Sequence, residues 1–81
     1  MDFHELERRF LDHLRARIRC GELTERHLAR MTGISQPHIH NVLKGKRMLS
    51  MEMADAVLRI LHIDLLDFIE PEELALRRKE D

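Results

Sequence analysis

The 81-residue chain has no tryptophan, no tyrosine, one cysteine (Cys20), three glycines and two prolines. Any core must therefore be aliphatic, completed by methionines and three phenylalanines. A lone cysteine cannot form an internal disulfide, which suits a reducing compartment. No apolar run approaches the roughly 20 residues that span a bilayer. The opening residues carry no signal-peptide pattern. These absences lead to the expectation of a cytoplasmic protein without a membrane partner. Acidic residues are missing from one stretch. None of the fifteen lies between Arg26 and Met51, where Arg26, Arg30, Lys44, Lys46 and Arg47 stand. Residues 1–25 carry five basic and six acidic groups, and residues 52–81 carry four and nine. The overall net charge of -1 argues against a nucleic-acid partner. Its distribution argues the other way, because five unopposed cations between acidic flanks form a local footprint for a polyanion.

The remaining composition, 43% hydrophobic and 36% charged, fits one compact, highly charged helical domain. No nucleophile–base pair, phosphate-cradling glycine loop or metal-ligand set is visible, so neither an enzyme nor a cofactor is expected. His38 and His40 are two residues apart, about 200° around a helix, which does not make a metal site. Cys20 reads as a plain thiol at a helix end. Met31, Met48, Met51 and Met53 read as gap-filling core.

Caps and periodicity divide the chain into helices. Asp2, with Glu5 three residues on, resembles a capping box before Leu6, Phe10, Leu14 and Ile18, which line one face. Gly21 suits the stop. Thr24 caps a second helix, and Leu23 and Leu28 take the spacing of a hydrophobic staple. That helix ends near Thr32-Gly33. Ser35 opens a third, with Pro37 in the first turn where a missing N–H costs little. Ile39, Val42 and Leu43 form its apolar side, and Gly45 ends it. A fourth starts at Ser50 and runs through Ala54, Val57, Leu58 and Leu61. A fifth is expected from Asp64 to just before Pro71. Residues 71–81 read as a charged tail or short extra helix beyond a domain spanning 1–70. No segment alternates as a strand does, so the fold class is all-α.

Two short helices joined by Thr32-Gly33-Ile34 form the unit of interest. Gly33 can take positive φ at the sharp turn. With Ile34, Ile39 and Val42 turned inward, Gln36, Pro37, His40, Asn41 and Lys44 are left on the outer face. That face has no acid and carries amides, which can donate and accept together as adenine's major-groove edge requires. The helix start at Ser35 would favour a phosphate. Leu28-Ala29-Arg30-Met31-Thr32-Gly33-Ile34-Ser35-Gln36, followed by Ile39, Val42 and Gly45-Lys46-Arg47, resembles the Xre family of helix-turn-helix domains, the family of phage Cro and lambda-type repressors. Leu61, Ile63, Asp64 and Leu65 extend the likeness, which covers roughly residues 24–69. The resemblance implies a five-helix, lambda-repressor-like fold. It implies base contacts from Gln36, Pro37 and Asn41, to which the residue reading adds His40. It implies phosphate contacts from Lys44, Lys46 and Arg47, with Ser35 beside them. Three positions depart from the family. Glu25 stands where a phosphate-contacting Gln is common, and a carboxylate there repels DNA. Pro37 offers only apolar contact, such as to a thymine methyl. His62 replaces the usual Gly at the end of helix four.

The function these residues imply is a sequence-specific regulator of transcription, a repressor on double-stranded DNA. A homodimer on a palindromic operator is expected, with Leu65, Leu66, Phe68 and Ile69 at the interface and Leu74 and Leu76 extending it. The resemblance leaves a second class open: an antitoxin or adaptor whose main partner is a protein such as a toxin.

Overall fold

The computed structural model describes the backbone of residues 1–80 and the side chains of residues 1–75. The Leu76 side chain and Asp81 lie outside the described residues. The helices are α1 (Phe3–Arg19), α2 (Glu25–Thr32), α3 (Gln36–Leu43), α4 (Met51–Leu61) and α5 (Pro71–Glu80), with a 3-10 turn at Leu65–Phe68. Among the described residues there is no strand.

Each cap expected from the sequence closes its helix. The Asp2 carboxylate accepts from the Glu5 N–H at 2.8 Å, and Thr24 Oγ1 from the His27 N–H at 3.0 Å. Ser35 Oγ accepts from the His38 N–H at 3.3 Å, and Ser50 Oγ from the Met53 N–H at 3.1 Å. Each satisfies one of the orphan donors at a helix start. The capping box expected at Asp2 is half made, because the Glu5 carboxylate turns to Arg8 and Arg9.

Phe10, Leu11 and Leu14 of α1 meet Leu23, Leu28 of α2, Ile39, Val42 and Leu43 of α3, and Met53 and Val57 of α4 in one core. Leu6 and Ile18, expected on the buried face of α1, are half-buried at its margins. Met53 is buried and Met31 half-buried, but Met48 and Met51 are exposed, against expectation. Met48 lies in the loop beyond α3. Met51 stands two residues before Met53, so it points to the opposite side of α4.

The expected fifth helix is corrected. Residues 65–68 form only a 3-10 turn, capped by Asp64 and Asp67 reciprocally. The restriction that Pro71 places on Glu70 favours extended backbone and ends that turn. Pro71 then begins α5, with the Glu73 carboxylate reaching back to the Glu70 N–H at 3.0 Å. Arg9 of α1 holds this end: its guanidinium donates to the Phe68 carbonyl and pairs with Glu73 at 2.8 Å.

The Arg9 hydrogen bond, then the Glu70 N–H, hold the Glu73 carboxyl below its usual range. A depressed folded value means that this contact stabilises the fold above the unfolded value and weakens as pH falls through the folded one. Acidification is therefore expected to loosen α5 before the core. Amide exchange measured along a pH series checks this: α5 should lose protection first in the wild type, and Glu73→Gln should remove the acid dependence. Simultaneous loss from α5 and α2 would contradict it.

His62 ends α4 in the left-handed region, at φ 55° and ψ 42°. It is the one non-glycine with positive φ among the described residues. The Ile63 N–H donates to the Leu58 carbonyl at 2.9 Å, closing the helix as a glycine would. The left-handed conformation costs a side-chain-bearing residue roughly 1–2 kcal/mol. Glycine relieves that strain but gains roughly 0.4–1 kcal/mol of unfolded-state freedom. His62→Gly is therefore expected to stabilise by about 0.5–1 kcal/mol, seen as a Tm raised by a few degrees. An unchanged or lower Tm would contradict the strain.

Candidate nucleic-acid interface

The α2–α3 turn is built from local chemistry. Thr32 Oγ1 donates to the Leu28 carbonyl at 2.8 Å and accepts from the Ile34 N–H at 3.2 Å. Gly33 follows at φ 76°, its N–H on the Ala29 carbonyl at 2.9 Å. A Cβ at Gly33 would meet nothing within 4 Å, so the backbone angle rather than space calls for glycine there.

This turn sets α3 across α2 with one side sealed. Ile39 is 0% and Val42 1% exposed. On the other side Gln36, Pro37, His40 and Lys44 are exposed and Asn41 is half-buried. The polar residues singled out in the sequence are thus brought together on one face. Ser35 is exposed at its N-terminal end. Its oxygen accepts from His38, leaving its own O–H free to donate.

The basic loop after α3 is tied to the same helix. The Lys46 and Arg47 N–H groups both donate to the Asn41 carbonyl, at 2.8 and 3.2 Å. Lys44, Lys46 and Arg47 are exposed. Their electrostatic setting differs from that of the α1 and α4 cations other than Arg19, which is likewise exposed and in no ion pair among the described residues. Arg8, Arg9, Arg15 and Arg17 of α1 and Arg59 of α4 all pair with carboxylates. Among the described residues, no ion pair engages Arg26, Arg30, Lys44, Lys46 or Arg47. The central cations are thus left facing solvent without a carboxylate partner among the described residues.

Two contacts were not visible in the sequence. Arg15 Nε of α1 donates to the Leu43 carbonyl at 2.8 Å, placing a positive charge on the negative end of α3 and fixing its angle. His40 Nδ1 lies 3.0 Å from Glu25 Oε1. The acid at the start of α2 is therefore paired with a residue of the outer face. Neither partner follows from spacing, because each joins different helices.

Toward the C-terminus, Leu65, Leu66 and Leu74 are exposed. Phe68 and Ile69 are half-buried. The Phe68 ring sits edge-on to Phe10 at 6.1 Å and to His13 at 5.4 Å, so Phe68 largely serves the core. No helix among the described residues is long and apolar enough to cross a membrane.

The family model described as Helix-turn-helix matches residues 17–68, from the end of α1 through the 3-10 turn. Neither the curated proteins nor the solved structures contain a match to this chain.

Proposed function

The chain belongs to the helix-turn-helix family, Xre/Cro type, and on that premise we propose that it is a cytoplasmic, sequence-specific repressor of transcription that lays α3 in the major groove of duplex DNA. One observation carries this reading: α3 itself has no acid on its polar face, opposite a buried one, and is flanked by cations that form no ion pair among the described residues, while the nearby Glu25 carboxylate of α2 is engaged by His40. Gln36 and Asn41 read base edges, Pro37 meets a thymine methyl, and His40 completes the face. Ser35, Lys44, Lys46 and Arg47 hold the phosphates. Two copies related by a twofold axis would read the halves of a palindrome. Leu65, Leu66 and Ile69, with Leu74, offer the apolar contact, and acidic Asp67, Glu70 and Glu72 keep that end away from DNA.

Salt dependence tests the phosphate contacts. Each lost phosphate contact lowers the slope of log K against log salt by about 0.9. Lys46→Ala is expected to weaken all duplexes about equally and to reduce the slope by roughly one. An unchanged slope would remove Lys46 from the interface. Sedimentation of the protein free and on its site tests the dimer, and a monomer in both would remove it.

The exposure of Leu65, Leu66 and Leu74 also suits a second reading, an antitoxin or adaptor that binds a protein through this end. Weak duplex binding with little salt dependence would favour it.

A further inference from the structure

We infer that Glu25 determines what His40 can read, by fixing the imidazole so that it presents an acceptor rather than a donor to a base. The inference rests on the proposed placement of α3 in the major groove. A neutral imidazole has one N–H and one lone-pair nitrogen. An ionised carboxylate only accepts. Nδ1 lies 3.0 Å from Glu25 Oε1 and 3.4 Å from Oε2, so the proton must sit on Nδ1. Nε2 is then the nitrogen left for DNA, and it carries the lone pair.

This restricts the base. Guanine offers N7 and O6, and thymine offers O4, all acceptors, so none can bond to that nitrogen. Adenine N6 and cytosine N4 carry amino hydrogens and can. The Glu25 carboxylate beside it is also an acceptor, so the pair together favours an amino group. The same arrangement accounts for an acid at the edge of a cationic face. The Glu25 side chain is only 24% exposed, lies in the first turn of α2 where a negative charge is favoured, and is engaged by His40. The helix start and the hydrogen bond stabilise that charge without removing it, and the role of Glu25 is that of a positioning residue.

Two measurements at pH 8 test this. The first uses free protein and nitrogen-15 spectra of the imidazoles. The expected result is a His40 ring protonated at Nδ1 in the wild type, with that preference lost in Glu25→Ala. A wild-type ring protonated at Nε2, or on both nitrogens, would overturn the inference. The second uses duplexes carrying the selected site, altered at the pair where His40→Ala loses selectivity. Replacing adenine there by purine, or cytosine by 2-pyrimidinone, removes the amino group. Wild type should lose about 5- to 150-fold in affinity, the size of a good base contact, beyond any loss shown by His40→Ala. Replacing the purine by its 7-deaza analogue, which removes an acceptor, should have no such differential effect. The opposite pattern would overturn the inference. Failure to bind any duplex would contradict the proposed function and the base preference with it, while the free-protein spectra would still decide whether Glu25 sets the tautomer.

Discussion

Replacing Ile39 by alanine is expected to lower stability by about 2–5 kcal/mol, the range for truncating a large aliphatic side chain in a packed core. Ile39 has no exposed surface and lies on the inner side of α3, among Leu28, Val42 and Val57. The helix around it has only eight residues, too few to persist without packing. The lost side chain therefore removes both transfer energy and the anchor that orients the outer face. Whole-domain stability is typically about 5–15 kcal/mol, and a chain this small stands toward the lower end. The variant should thus be partly unfolded at ambient temperature, while Ile39→Val should lose only about 0.5–1.5 kcal/mol. Urea titration followed by helical signal measures both. A loss below about 1 kcal/mol for alanine would show that α3 is not anchored through Ile39.

The second large effect falls on binding rather than folding. Gln36→Ala and Asn41→Ala should each weaken the preferred site by about 1–3 kcal/mol, as loss of a good base contact does. Alanine is the best helix former, so α3 should remain intact. Non-specific binding, which draws on phosphates, should barely change. Specific and unrelated duplexes must therefore be titrated side by side with each variant. Equal loss on both duplexes would assign these residues to general adhesion. No loss on either would move the reading face elsewhere.

The parts of the fold that follow from local chemistry were legible in the sequence. Thr24, Ser35 and Ser50 announce helix starts because their side chains bond N–H groups only three residues away. Gly33 marks a left-handed cap, whereas the one at His62 was suggested only by the family resemblance, in which a glycine usually stands there. The inward set Ile39, Val42 and Leu43 separates from the outward set by helical periodicity alone. The fifth helix was misplaced because Asp64 and the apolar run after it fit an α-helix as well as a 3-10 turn. The Phe68 ring contacts and the Arg9 bonds to the Phe68 carbonyl and Glu73 come from residues more than fifty positions apart. Within the candidate site the same division holds. The outer residues of α3 could be read directly. The Arg15 and Glu25 contacts arise only once α1, α2 and α3 are packed, and no spacing rule connects residue 25 to residue 40.

The central claim is that α3 reads a DNA sequence, and selection of bound duplexes from a random library tests it most directly with the unmodified protein. The expected result is an enriched palindrome whose half-sites are centred about 34 Å apart, one helical turn, bound more tightly than unrelated duplex by at least ~10³-fold. A library that emerges unenriched, with every sequence held equally, would contradict it.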